Sequence, residues 1–258
     1  MAFDLHLRVN SFSSMPVDTL YDDARRLIAA ADGAGLSLRL LGGIAIYHLC
    51  PTARHPDFER SYKDIDMVGL ARERATLQRL FIDHGYEPDR EFNLLHGMQR
   101  LIFRHTADER HIDVFLDRFQ MCHTFDLRDR LHLHPATLTP ADLLLTKLQV
   151  VEATENDLRD LFALLSDLPL GAEPGAIDVA YIAQLAARDW GLYRTLALSL
   201  DRLDRWTVGR PVYGAYRVSS QIAVLRETIE AQPKTMAWKM RARIGDRVRW
   251  YDIPDEGG

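Results

Sequence analysis

Apolar side chains first return at helical spacing over residues 17–33, where Val17, Leu20, Ala24, Leu27, Ile28 and Ala31 share a face. Asp32-Gly33 and Gly35 close that pattern. A short apolar run over 36–41 predicts a strand that leads into Gly42-Gly43, with a helix over 44–49 stopped by Pro51. Residues 51–62 are polar, contain two prolines and predict a loop. A strand is expected over 64–70, then a helix over 72–84 ended by Gly85. Residues 99–105 and 110–116 predict two more strands joined by the polar stretch Thr106-Ala107-Asp108-Glu109.

The texture changes at Thr139-Pro140-Ala141-Asp142, a helix start with Thr139 as N-cap and Pro140 in the first turn. Helical patterns follow over 140–153, 155–166, 177–188, 190–206 and 216–231, with a Pro/Gly-rich seam at 169–175. The expected organisation is an α/β (α+β) region over 1–138 and a helical region with a short basic tail over 139–258. No internal repeat or low-complexity stretch interrupts it.

The chain has 258 residues, 47% hydrophobic and 27% charged, enough to bury a substantial core and unlike a disordered or collagen-like sequence. No apolar run reaches the roughly 18 residues of a membrane helix, so no membrane association is expected. The N-terminal stretch lacks the pattern of a secretion signal. Cys50 and Cys122 are too few for a disulfide framework or a zinc site, which makes a reducing cytoplasm the expected setting. A net charge of −5 confines any nucleic-acid contact to a local patch. Residues 234–250 form such a patch, with Lys234, Lys239, Arg241, Arg243, Arg247 and Arg249 set among Trp238, Trp250 and, next in line, Tyr251.

Three places carry candidate chemistry. Asp64 and Asp66 flank Ile65 on an expected strand, so both carboxylates project from one face. Their repulsion would be relieved by Mg²⁺, which prefers oxygen ligands; a solvated strand end is the plainer alternative. Gly42-Gly43, between a strand and a helix, would let backbone N–H groups approach an anion; a tight turn is the plainer alternative. Asp113 alternates with Ile112 and Val114 and needs either a cation or a salt bridge, for which Arg100, Arg104 and Arg110 are at hand. Lys147, among Leu143, Leu144, Leu145 and Leu148, needs an anion or a path to water; Glu152 and Asp157 are near in sequence. His132 and His134 could share a strand face, but no third ligand stands at a recognisable spacing, and a turn or surface role is the plainer reading.

In order, these elements resemble the nucleotidyltransferase superfamily, with its polymerase-beta-type and aminoglycoside-modifying members. The resemblance implies a mixed sheet flanked by helices. It further implies that Gly42 and Gly43 hold a nucleoside triphosphate while Asp64, Asp66 and Asp113 hold two Mg²⁺ ions, Asp113 also serving as base toward an acceptor hydroxyl. A closer resemblance is to AbiEii-type toxins and related abortive-infection nucleotidyltransferases. It rests on Arg60-Ser61-Tyr62-Lys63-Asp64-Ile65-Asp66, on Leu138 to Lys147, and on Asn156-Asp157-Leu158-Arg159-Asp160-Leu161. This implies phosphate contacts from Arg60, Lys63 and Lys147, an RNA acceptor such as a tRNA end, and an antitoxin partner. A small hydroxyl compound such as an aminoglycoside is the alternative acceptor, and a degenerate nucleotide-binding protein the alternative to an enzyme. The chain departs from the superfamily at Ile44-Ala45, where Ser or Thr commonly follows the glycines, and at Tyr62, where Thr is more usual.

Overall fold

The computed structural model describes residues 17–58, 60–62, 64–108, 110–208, 210 and 214–254. Helix α1 (Val17–Gly33) buries the predicted face through Leu20, Ala24, Leu27, Ile28 and Ala31. Strand β1 (Leu38–Leu40) passes into α2 (Gly42–Leu49), so both glycines lie inside the first turn of the helix rather than ahead of it. Glycine is tolerated there because the first amides of a helix have no intrahelical partner. Two short 3-10 turns, Pro51–Arg54 and Pro56–Phe58, occupy the stretch expected as loop.

Strand β2 (Asp64–Gly69), helix α3 (Arg74–Asp83), strand β3 (Tyr86–Pro88), helix α4 (Arg90–His96), and strands β4 (Arg100–His105) and β5 (His111–Leu116) complete the α/β region. The five strands form one mixed sheet in the order β1-β2-β5-β4-β3, in which only β2 and β5 run parallel. Strands β6 (Arg118–Gln120) and β7 (Thr124–Asp126) make a separate hairpin. Residues Ala136 and Leu138 then hydrogen-bond to Leu40 at the β1 edge. The His132–His134 stretch is turn, the plainer of the two readings, and His134 Nδ1 accepts from the Thr137 amide at 3.0 Å.

Strand alternation sorts the sheet into two faces. Ile65, Met67, Ile112, Val114, Leu101 and Phe103 are fully buried on one, which α1 and α3 help to cover. The aspartates lie on the other.

The helical region begins at α5 (Pro140–Leu148), capped by Thr139, which accepts from the Asp142 amide. Helix α6 (Glu155–Asp167) opens on a reciprocal capping box between Thr154 and Asp157. Helices α7 (Val179–Arg188), α8 (Trp190–Val208), α9 (Ala215–Ala231) and α10 (Met236–Ile244) follow. One continuous buried apolar cluster runs from Leu20 to Ile229 through both regions. Helix α2 packs against β2, α5 and α6, joining the sheet to the helical region beside the aspartates. No helix among the described residues is long and apolar enough to cross a membrane.

Candidate active site

The parallel pairing of β2 with β5 sets Asp66 opposite Asp113 and Asp64 opposite His111. Adjacent strands lie about 4.8 Å apart, so the first pair projects from neighbouring backbone positions on one face. Asp64, at the start of β2, is exposed, whereas Asp66 and Asp113 are half-buried.

Gly42 supports this arrangement from behind. Its φ is +68°, and a Cβ there would fall inside the Asp66 carboxylate, so the position requires glycine for both backbone and space. The Leu41 amide donates to the Asp66 carbonyl at 3.0 Å, which fixes the α2 N-terminus against β2. Leu41 itself offers no side-chain cap. Gly43 makes room for other groups: a Cβ there would stand 2.6 Å from Arg60 Nη2 and 3.0 Å from Tyr62 Cε1.

Burial first, and then the charge of Asp113, push the Asp66 carboxyl up from 3.8 to about 7; Asp64 adds to this, and Lys147 and Arg100 oppose it. Asp113 has a counter-ion within the protein. Arg100 Nε stands 2.7 and 2.9 Å from its two oxygens, and Nη2 adds a third hydrogen bond. The salt bridge open to Asp113 in the sequence is therefore made, and by Arg100. That guanidinium lies 5.1 Å from the centre of the Phe115 ring.

Lys147 Nζ lies 2.9 Å from Asp157 Oδ1 and 2.9 Å from Asp160 Oδ2. Burial alone would push its ammonium toward neutrality, but Asp160 and Asp157 outweigh that and hold it charged, above the usual lysine range. Arg60 Nη2 reaches the other Asp160 oxygen at 2.6 Å, and its guanidinium sits 4.5 Å over the Tyr62 ring. Asp160 thus ties Arg60, beneath α2, to Lys147 on α5.

A cleft of about 680 Å³ gathers Gly42, Asp66, Asp113 and Lys147 in its lining, together with Arg100. Gly43, Arg60 and Asp64 stand outside that lining, and Lys63 lies outside the described residues. The apolar part of the wall includes Phe115, Phe119 and Met121, and the tail contributes Arg249 and Tyr251.

Among the described residues, no group of three His, Cys, Asp or Glu side chains is placed to hold a metal ion. Arg100 is paired with Asp113, and Asp64 sits at the exposed strand end. The donor set of Asp66 and Asp113 still suits a hard divalent cation. Both are oxygen donors in register, and the burial and neighbouring negative charge that raise Asp66 are what such an ion would offset.

Arg100 is one of three partners the sequence offers Asp113, and nothing in the sequence signals that the tail reaches the cleft. Asp160 appeared only within the resemblance.

No family model matches the chain, and no curated protein does. Solved structures give distant likenesses. The lincomycin-bound lincosamide antibiotic adenylyltransferase LnuA is 14% identical over 55% of this chain and 94% of its own, with a TM-score of 0.39. An antigenic nucleotidyltransferase-like protein from Paracoccidioides brasiliensis is 14% identical over 85% of this chain and 96% of its own, at 0.44. The antibiotic-resistance factor ANT(2'')-Ia is 13% identical over 88% of this chain and 99% of its own, at 0.39. At such scores the likeness decides nothing about chemistry; the fold itself is a mixed sheet flanked by helices with a helical region following, as expected.

Proposed function

We propose that this chain is a nucleotidyltransferase that moves a nucleoside monophosphate from a nucleoside triphosphate to an acceptor hydroxyl. One observation carries the reading: Gly42 leaves no room for a side chain between the uncapped α2 N-terminus and Asp66, which is paired in register with Asp113 in a cleft that also receives Lys147. A helix N-terminus, which favours anions, and paired carboxylates in one cleft suit transfer of a phosphoryl-linked group.

In this reading the amides of the first α2 turn and the Lys147 ammonium take the triphosphate, offsetting charge on the departing pyrophosphate. Asp66 and Asp113 would hold Mg²⁺, with Asp64 beside them. Bound there, Mg²⁺ supplies Lewis-acid stabilisation of phosphate charge. The acceptor oxygen bonds to the α-phosphorus as the bond to the bridging oxygen of pyrophosphate breaks, and the hydroxyl proton passes to Asp113. Arg100 must loosen its hold on Asp113 for that step. Arg60 keeps a supporting role, since unlike Lys147 it stands outside the cleft lining, held by Asp160 under Gly43.

Two acceptors divide the reading. The exposed Lys239, Arg243, Arg247 and Arg249 favour an RNA end, as the toxin resemblance implies. A cleft of about 680 Å³, within the range of small-molecule sites, favours a small hydroxyl compound. The test is incubation with Mg²⁺ and each α-labelled nucleoside triphosphate, with total RNA or a panel of small hydroxyl compounds. Label should move to one acceptor class and should not move with the Asp66→Asn variant. RNA transfer should fall steeply with added salt. Equal transfer by Asp66→Asn would overturn the assignment.

A further inference from the structure

The segment 249–254 is a fixed part of the cleft wall although it lies more than a hundred residues from the aspartates in sequence. Trp250 anchors it. The indole Nε1 donates to Thr195 Oγ1 at 3.0 Å, and the ring meets Trp190 edge-on at 5.9 Å. Gly191 makes the seat possible, since a Cβ there would stand 2.6 Å from the Trp250 carbonyl oxygen. One residue beyond Tyr251, the Asp252 amide donates to the Cys122 carbonyl at 3.0 Å, stitching the segment to the β6–β7 hairpin.

Anchors at 250 and 252 leave Tyr251 between two fixed points. Its ring packs edge-on against Trp250 at 5.5 Å, is half-buried, and lines the cleft. Phe115, Phe119 and Met121 line the same cleft. Phe115 stands two residues beyond Asp113 on β5, on the same face and about 6–7 Å along the strand. Its ring meets Phe119 at 4.8 Å. The cleft wall therefore combines the charged groups of Asp66, Asp113 and Lys147 with aromatic rings, one of them from the tail.

We propose that Tyr251, held by the tail anchors, supplies part of a subsite for the flat ring of the nucleobase, so that the C-terminal segment helps bind the nucleoside triphosphate. This rests on the transfer reading and deepens it. A planar heteroaromatic ring is the group that stacks on aromatic side chains while its phosphates meet charged ones.

The experiment compares binding of ATP, CTP, GTP and UTP with that of inorganic tripolyphosphate, in Mg²⁺, by calorimetry on the full chain. Tripolyphosphate keeps the charge and lacks the ring. Tyr251→Ala should weaken the favoured nucleotide about tenfold, within the usual loss for one stacking ring, and leave tripolyphosphate unchanged. Tyr251→Phe should bind as the unaltered chain does, and both variants should melt with it. Unchanged nucleotide affinity in Tyr251→Ala, or an equal loss for nucleotide and tripolyphosphate, would overturn the subsite. An unaltered chain that binds no nucleotide would instead sink the transfer reading and the subsite with it.

Discussion

Asp66→Asn should make the protein more stable at alkaline pH while removing the proposed transfer activity. The Asp66 carboxyl titrates near 7 in the folded chain against an ordinary 3.8, because burial and the Asp113 charge disfavour its ionised form. Below about pH 4 the group is protonated in both folded and unfolded chains and contributes no difference. From there to about 7 the unfolded chain releases the proton and the folded chain keeps it, so stability declines with rising pH. Each pH unit is worth about 1.4 kcal/mol, giving a penalty of about 4 kcal/mol above pH 7 as an upper bound, less where cleft water screens the charge. Asparagine has nearly the same shape and cannot ionise, so the variant escapes the penalty. Urea denaturation of both proteins between pH 4.5 and 8.5, without metal, would measure the difference. It should grow with pH and level off above about 7, and Mg²⁺ should shrink it by stabilising only the unaltered chain. A difference that stays flat across this range, or an unaltered chain that is the more stable at pH 8, would refute the electrostatic account of the site.

Three further outcomes follow from the same geometry. Gly42→Ala should cost about 2 kcal/mol or more in thermal or urea unfolding, from the left-handed backbone together with the collision with Asp66, and should abolish transfer. Arg100→Gln should bind Mn²⁺ about tenfold more tightly by electron paramagnetic resonance titration, since the ion no longer displaces charge-assisted hydrogen bonds worth about 1.5 kcal/mol; an unchanged affinity would mean Asp113 is not a ligand. Asp160→Asn should destabilise the fold by about 3 kcal/mol in urea, because it leaves Arg60 and Lys147 short of a buried partner.

The longer helices were legible because apolar spacing survives in them: α1, α7 and α8 run within a few residues of the expected bounds. The aspartate face of β2 and β5 was legible for the same reason, since strict alternation with Ile65, Met67, Ile112 and Val114 leaves only one side for the carboxylates. Other elements carry no such signal. β3 has three residues, too few to show a period, and α4 turns Leu94 and Leu95 outward. The α2 start was misplaced because glycine argues against helix, while the first-turn position removes most of that penalty. The Arg100–Asp113 contact is diagonal across β4 and β5, where Arg100 pairs with Phe115, so sequence separation could not choose it among three arginines. Of the two anions at Lys147, Asp157 was at hand in the sequence whereas Asp160 stood out only within the resemblance, and Tyr251 reaches the cleft only because Gly191 admits the Trp250 backbone.

Asp157 belongs to two structures at once. One oxygen closes the turn that starts α6, accepting from Thr154, and the other meets Lys147 at 2.9 Å. Any ligand that draws the lysine away tugs on the first turn of that helix, so occupancy of the cleft and the seating of α6 are mechanically geared to each other. An amide-exchange experiment would register this gearing as changed protection at residues 155–158 when an anion enters.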